Sequence, residues 1–239
     1  MKFENISKTY TDRAGYKIHL IQNISISIEK DQIVSVLAPI GAGKSSLLKI
    51  ISGLEKPDKD KIEKYGQKIV YIPSEPSSFP WFSVKENIKL VSENIDEKRL
   101  KEIISLVGLK GYDDHHPHNK SLGFRFRISL ARVLALEPSL IVLDEPFNKM
   151  KPETKDEIYL LIKNIKKVKG QAFLLATTNI SEAIFLSDKI YLMRKNPGEI
   201  AEEIKLSEEK TPPKIDELRR NIEEKVRNIF DRKLLEFKI

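Results

Sequence analysis

The sequence contains no cysteine, which excludes disulfide bonds and metal sites built from thiolates. It has no apolar run close to the roughly 18 residues that a membrane-spanning helix needs, so the chain is predicted not to cross a bilayer by itself. The N-terminal residues also lack the apolar core of a secretory signal peptide. These absences favour a protein of a reducing compartment, and we expect it in the cytoplasm.

The formal net charge of +7 would suit a nucleic-acid partner. Lysine and glutamate are interspersed, however, and aromatic residues do not alternate with basic ones as a base-stacking surface requires. A solvated surface of mixed charge explains this pattern better. We therefore do not expect the chain to bind nucleic acid.

Apolar segments of strand and helix spacing alternate along most of the chain. The period-two alternation within residues 1–36 predicts paired strands. Further strands are predicted at 33–37, 68–72, 140–145, 172–177 and 190–193, and helices at 45–52, 84–109, 121–137, 153–168 and 181–186. This order predicts an α/β fold with a mainly parallel sheet covered on both faces.

One segment, residues 34–48, joins an apolar β-branched run to a glycine-containing turn and then to a helix. Backbone N–H groups of residues 41–45 can point at an anion, and the helix N-terminus adds partial positive charge. Lys44 would reach the outer phosphates of a nucleotide, and the Ser45 hydroxyl would help to hold Mg²⁺. The predicted nucleotide-binding residues of this segment are Ala38, Pro39, Ile40, Gly41, Ala42, Gly43, Lys44, Ser45 and Ser46.

The first residue of this loop departs from the usual phosphate-loop pattern, G-x-x-x-x-G-K-[ST]. Ala38 stands at the first glycine. Because Pro39 follows, Ala38 is biased toward an extended conformation, in which a Cβ is tolerated. We expect the loop to bind phosphate despite this substitution.

A pair of carboxylates, Asp144 and Glu145, ends an apolar strand about a hundred residues after the loop. Phosphoryl transfer to water needs a cation that bridges the phosphates and a carboxylate that polarises the attacking water. Asp144 is therefore predicted to support Mg²⁺, and Glu145 to be the catalytic carboxylate. The alternative, that the two acids only cap a strand, is disfavoured by the preceding Lys44.

Together these segments resemble the nucleotide-binding subunits of ABC transporters over nearly the whole chain. Within that family the sequence is most similar to the ATPases of importers for nitrate, sulfonate or taurine-like anions. The segments that carry the resemblance include residues 7–10, 38–46, 74–76, 79–81, 117–118, 121–127, 130–132, 136–138, 143–147 and 182–183.

The resemblance implies a single P-loop ATPase domain of ABC type over residues 1–239, with an N-terminal antiparallel β subdomain. Its parts would be a nucleotide-binding core (1–72 and 136–206), an inserted helical subdomain (73–135) and a C-terminal helical tail (207–239). It also implies ATP and Mg²⁺ as ligands. Two ATPase subunits, identical or different, would meet head to tail and enclose two ATP molecules.

The partners implied by the resemblance are transmembrane transporter subunits, with this chain on the inner face of the cell membrane. Residues 79–81 and their flank would face those subunits; the alternative is an aromatic plug within the helical subdomain. Tyr10 falls where the family places an aromatic ring against adenine. Two alternatives stay open, namely that Tyr10 is a core or edge tyrosine and that Tyr16 serves instead.

The signature segment, Leu-Ser-Gly-Gly-Gln in the family, includes Ser121, Leu122 and Gly123 here. Ser121 would still donate to a γ-phosphate of ATP bound by the partner subunit. Leu122, however, places a side chain where a missing Cβ lets backbone N–H groups approach the phosphate.

Three further positions depart from the family's pattern. Ser74 replaces a glutamine that touches Mg²⁺ and the attacking water, and its shorter side chain loses that contact or makes it through water. Lys151 stands where the family has an aspartate, which changes the sign of a contact across the dimer. Thr178 replaces a histidine that contacts the γ-phosphate in the family. Thr178 is also the last of the predicted ATP-binding residues.

Removing one polar group positioned for the transition state costs about 10²–10³ in rate. Several such losses predict weak or absent hydrolysis by the chain alone, although they need not add. Binding should suffer less, because Lys44 and the loop amides remain. We expect an ATP-binding subunit of an importer, or alternatively a degenerate ATP-binding partner that pairs with an active ATPase.

Overall fold

The structure is a computed structural model that describes residues 1–58, 67–75, 77–118, 120–207 and 212–235. Pro76 and the last residues of the predicted tail, 236–239, lie outside the described residues. The chain forms two compact units, one of Met1–Glu63 with Ala172–Ile239 and one of Lys64–Gln171. The partition expected from the sequence, with boundaries at 72, 135 and 206, stays a prediction.

The elements in chain order are β1 (Lys2–Thr11), β2 (Lys17–Ser27), β3 (Ile33–Leu37), α1 (Lys44–Ser52), β4 (Ile69–Ile72), α2 (Val84–Lys89), α3 (Glu97–Leu106), α4 (Leu122–Ala135), β5 (Leu140–Asp144), α5 (Pro152–Lys169), β6 (Ala172–Thr177), α6 (Ile180–Leu186), β7 (Lys189–Arg194), β8 (Glu199–Lys205) and α7 (Pro212–Leu235). Parallel pairing joins β3 to β6, β3 to β7 and β4 to β5. Antiparallel pairing joins β1 to β2 and β7 to β8. The predicted α/β class is confirmed.

In the first unit, β3 lies between β6 and β7, and all five of its residues are buried. Such an uninterrupted apolar strand is typical of a parallel sheet covered on both faces. The antiparallel pair β1–β2 also confirms its prediction, because Ile24 and Ile26 are buried and Ser25 between them is exposed. β8, which the sequence analysis did not predict, adds an antiparallel edge to β7.

The C-terminal helix α7 packs on the first unit through one apolar face. Ile222 is fully buried against a cluster that includes Leu37 of β3 and Ile190 of β7. Leu218 and Val226, one turn away on either side, are partly buried against the same cluster. The spacing is that of an amphipathic helix, as predicted for the tail. None of the helices within the described ranges is long and apolar enough to cross a membrane.

In the second unit, β4 and β5 pair in parallel and are accompanied by helices α2 to α5. The helical spacing over 84–109 forms two helices rather than one. Asp96 caps the second of them by accepting a hydrogen bond from the Arg99 amide at 2.8 Å. A polar cap of this kind starts a new helix where the chain has left the previous one.

Residues 77–83 form an ordered loop that Asn87 of α2 holds in place. The Asn87 side chain accepts a bond from the Phe79 amide at 2.9 Å and donates to three carbonyls, including that of Phe82. Phe79 packs against Trp81 with ring centroids 5.7 Å apart, yet Trp81 remains 67% exposed. The loop therefore presents an aromatic side chain on the surface of the second unit.

Candidate functional site

The predicted phosphate loop connects β3 to α1 in the first unit. Gly41 and Gly43 have φ angles of 83° and 92°, left-handed conformations that favour glycine and recur in anion-binding nests of backbone N–H groups. Gly43 is also the N-cap of α1, so the partial positive charge of that helix falls at the loop. The local geometry suits a bound phosphate.

The Lys44 side chain lies within this loop. It is 5% exposed, and its Nζ donates to the carbonyl oxygens of Ala38 and Pro39, each at 3.1 Å. Ala38 is buried and does not adopt a positive φ, so the backbone accepts its Cβ as predicted. Ser45 is exposed, and Ile40 stands out from the loop with 83% of its surface exposed. The loop thus surrounds a buried ammonium group.

Gly198, in the turn before β8, packs closely against the phosphate loop. A Cβ on Gly198 would collide with the carbonyl oxygen of Ala42. The Gly198 amide and carbonyl bond to Leu20 and Gln22 of β2, at 2.8 and 2.9 Å. Sequence reasoning missed this support, since the Pro197-Gly198 pair indicates only a turn.

Tyr10 of β1 is tied to the region just beyond the loop. Its hydroxyl lies 3.1 Å from the Ser46 hydroxyl and donates to the carboxylate of Glu55. Burial and the Glu55 acceptor raise the pKa of Tyr10. Tyr16, by contrast, lies in the β1–β2 turn with its side chain 72% exposed. Of the two candidates, the structure brings Tyr10 to the phosphate-loop helix.

Thr178 directly follows β6 and is half-buried. The preceding residue, Thr177, is in register with Leu37, and its carbonyl accepts a bond from the Ala38 amide at 3.3 Å. Thr178 therefore lies beside the start of the phosphate loop. The buried carboxylate of Glu182 accepts a bond from the Thr177 hydroxyl at 2.7 Å, which fixes the end of this strand.

Asp144 ends β5 in the second unit and is 5% exposed. The Tyr71 hydroxyl donates to its Oδ2 at 2.7 Å. Its other oxygen, Oδ1, is buried and has no hydrogen-bond partner among the described residues. Burial and the Asp144 carboxylate raise the pKa of Tyr71, so its hydroxyl stays a donor at neutral pH.

These observations fit a magnesium ligand. Mg²⁺ prefers oxygen ligands, and the carboxylate of Asp144 supplies such oxygens. A buried carboxylate oxygen without a partner is costly, and a cation or its bound water would satisfy it.

Glu145, the predicted catalytic carboxylate, has a φ of 45°, an uncommon value for a residue with a side chain. The side-chain amide of Asn148 donates a hydrogen bond to the Glu145 carboxylate. Next along the turn, Lys149 forms an ion pair with Glu75. Sequence reasoning noted that this turn departs from the family's pattern but did not predict that Asn148 would contact Glu145.

The signature residues begin helix α4. Ser121 is its N-cap and accepts a bond from the Phe124 amide at 3.2 Å, while Leu122 is half-buried in the first turn. Gly123 is buried, and a Cβ there would collide with the Thr154 side chain of α5. Ser74, in contrast, is exposed at the end of β4.

The predicted site residues therefore fall into two groups, each placed within its own unit. The first unit holds Tyr10, residues 38–46 and Thr178. The second holds Ser74, residues 121–123, Asp144 and Glu145.

Comparisons with known proteins give the family. The model of the ABC transporter family matches residues 21–148. An aliphatic sulfonates import ATP-binding protein, SsuB, of Bacillus thuringiensis subsp. konkukian is 33% identical over 210 residues, which cover 84% of this chain and 83% of that protein. A second SsuB protein, from Pseudomonas syringae pv. tomato, is 33% identical over 195 residues, which cover 81% of this chain and 84% of that protein.

Solved structures similar to this chain are also ABC transporter cassettes. The dimeric structure of MJ0796, a bacterial ABC transporter cassette, has a TM-score of 0.72 and 26% identity, covering 87% of this chain and 99% of that one. The same values apply to a post-hydrolysis state of MJ0796 bound to ADP and Pi. With this family match and these relatives, the chain belongs to the ABC transporter family as an ATP-binding subunit.

Proposed function

We propose that the chain binds Mg²⁺ and ATP and serves as the ATP-binding subunit of an ABC importer. The observation that carries the proposal is Lys44, whose ammonium is buried within a loop of left-handed glycines at the N-terminus of α1. A positive group held by backbone carbonyls, beside the N–H groups of a glycine turn and a helix N-terminus, is suited to polyphosphate. The solved relative bound to ADP and Pi supports a nucleotide as the ligand.

The predicted site residues would have separate roles. Ser45 and Asp144 would hold Mg²⁺, which when bound neutralises charge that develops on the phosphates. Tyr10 would place its ring against adenine, since its hydroxyl is anchored by Ser46 and Glu55. Glu145 would orient the attacking water.

The transported substrate class is proposed from the relatives. Both SsuB proteins are named for aliphatic sulfonate import, and we assign this chain to an importer of such organic anions. Substrate would be selected by other chains. Transmembrane subunits would dock on the loop that exposes Trp81, and the chain would lie at the cytoplasmic face of the membrane. Two ATPase subunits, identical or different, would pair.

We further propose that hydrolysis by this chain alone is weak. Ser74 is too short and exposed to replace glutamine, and Leu122 adds a side chain in the first turn of α4. Thr178 lacks the imidazole of a histidine, and Asn148 already engages the Glu145 carboxylate. These features favour a second candidate function as well, a subunit that binds ATP while another ATPase hydrolyses it.

ATP binding can be tested by titrating a fluorescent ATP analogue into the protein and into Lys44→Ala. Loss of a buried charged contact of about 1.5–3 kcal/mol predicts roughly 10–100-fold weaker binding. Lys49→Ala is the matched control, because Lys49 is an exposed lysine on the same helix. Equal affinities for the parent and Lys44→Ala would contradict ATP binding at this loop.

Partner binding can be tested by co-purification with the transmembrane subunits of an aliphatic sulfonate importer. Trp81→Ala should reduce recovery of the complex without changing ATP affinity, since Trp81 is largely exposed. Leu160→Ala, an exposed apolar side chain on α5, serves as the control. Full recovery with Trp81→Ala would exclude the aromatic loop as the docking surface.

A further inference from the structure

Tyr71 and Asp144 lie on neighbouring parallel strands of the second unit. In the register of β4 and β5, Tyr71 is opposite Val142, and Asp144 is two residues further along β5. The phenol reaches across this offset, and its hydroxyl donates to Asp144 Oδ2 at 2.7 Å. The contact joins two strand residues, so both side chains start from rigid backbone.

The two oxygens of Asp144 have different surroundings. Oδ2 has the Tyr71 hydroxyl as a donor, whereas Oδ1 is buried and has no hydrogen-bond partner among the described residues. Leaving a carboxylate oxygen without a donor in a buried place is unfavourable, and native proteins seldom do so without a functional reason. A hydrogen bond on one oxygen fixes the carboxylate plane and therefore the direction of the other oxygen.

We propose that Tyr71 is a positioning residue that orients the Asp144 carboxylate so that Oδ1 receives the magnesium ion or one of its coordinated waters. This inference rests on the proposed binding of Mg²⁺ and ATP. Partners that orient a metal ligand through a hydrogen bond typically contribute about 10–100-fold to metal affinity.

The position of Tyr71 suits this role. Tyr71 is half-buried on a paired strand, which restricts the motion of its ring. A hydrogen-bond donor held in this way maintains one orientation of the Asp144 carboxylate.

The inference is tested with Tyr71→Phe, which removes only the hydroxyl. The binding of Mn²⁺ to the ATP complex is followed by electron paramagnetic resonance of free Mn²⁺, and ATP binding is measured separately in excess EDTA. We expect about a tenfold weaker Mn²⁺ affinity and an unchanged affinity for metal-free ATP. Tyr112→Phe, which removes a phenolic hydroxyl from another tyrosine of the same unit, should behave as the parent.

Asp144→Asn and the double variant separate positioning from a merely structural role. If Tyr71 acts through the Asp144 carboxylate, Tyr71→Phe should weaken Mn²⁺ binding no further once position 144 is Asn. A Tyr71→Phe variant that matches the parent in Mn²⁺ affinity would overturn the inference. So would one that loses metal-free ATP affinity and Mn²⁺ affinity by the same factor.

Failure of the proposed function would give a different experimental result. If the unmodified protein binds no ATP, the proposed function fails, and the inference fails with it. If it binds ATP and metal improves the affinity, the proposed function stands. The Mn²⁺ affinities of Tyr71→Phe and the parent then decide whether Tyr71 positions Asp144. Should Tyr71→Phe not fold, 3-fluorotyrosine introduced at position 71 gives a second measurement. Mg²⁺ added to the ATP complex should shift its ¹⁹F resonance, and an unmoved resonance would overturn the inference.

Discussion

The side-chain amide of Asn148 donates a hydrogen bond to the carboxylate of Glu145, three residues earlier in the turn after β5. Glu145 is the residue proposed to orient the attacking water. An amide donor occupies a lone pair of that carboxylate and fixes its direction. Under the proposed function, Asn148 would compete with the attacking water for this carboxylate.

Replacing Asn148 with Ala should raise ATP turnover. Loss of an exposed hydrogen bond worth roughly 1 kcal/mol corresponds to an increase of about fivefold. Phosphate release at saturating ATP measures the effect. Lys149→Ala is the control, because Lys149 belongs to the same turn but pairs with Glu75. A lower rate in Asn148→Ala would mean that Asn148 assists Glu145 instead.

Restoring the family's residues at three positions should raise turnover further. The variant Ser74→Gln, Leu122→Gly, Thr178→His supplies the glutamine, the open signature backbone and the histidine. Because a single such group contributes about 10²–10³ in rate, we expect at least a tenfold gain in phosphate release.

The matched controls are the three single variants. A glycine in the first turn of α4 costs up to about 1 kcal/mol of helix stability, so thermal unfolding should be measured alongside. No gain from the triple variant, with folding intact, would show that these residues are misaligned with the family's pattern or compensated elsewhere.

Tyr10 and Tyr16 can be distinguished by their effect on binding of the adenine base. Tyr10→Ala should weaken ATP binding about tenfold, in line with the 1–3 kcal/mol of a ring stacked on a base. Inorganic triphosphate, which has no base, should bind both proteins equally. Tyr16→Ala is the control, since Tyr16 is more exposed and lies in the turn. A larger loss in Tyr16→Ala would assign the base contact to Tyr16.

The C-terminal helix should be part of the stable fold. Ile222→Ala removes a fully buried side chain that packs against Leu37 and is expected to cost about 2–5 kcal/mol. Urea unfolding measures this difference. Leu54→Ala, an exposed side chain of the same unit, should change stability little. Equal stabilities of the two variants would mean that α7 does not contribute to folding.

The strands that position the site could be predicted because their residues form unbroken apolar runs. β3 and β5 are both buried along their whole length, and their ends were identified from Ala38 and Asp144. β8 was missed since it is an edge strand in which Ile200 and Ile204 alternate irregularly with charged residues. Such a pattern is also typical of a solvated loop.

Contacts between side chains were not predictable. The Tyr71–Asp144 bond depends on the register of β4 and β5, and residue spacing does not contain that register. The support of the phosphate loop by Gly198 depends on how the turn before β8 folds back. Sequence patterns therefore predicted the chemistry of the site, while the structure shows the contacts that surround the predicted residues.

The most direct measurement compares ATP binding and ATP hydrolysis in one preparation, with and without an ABC ATPase subunit that has an intact signature. We predict saturable binding that requires Lys44, and turnover by the chain alone about 10²-fold or more below that of an ordinary relative. Addition of the second subunit should raise turnover. Absence of ATP binding, or hydrolysis by the chain alone as fast as that of the Bacillus relative, would contradict this function.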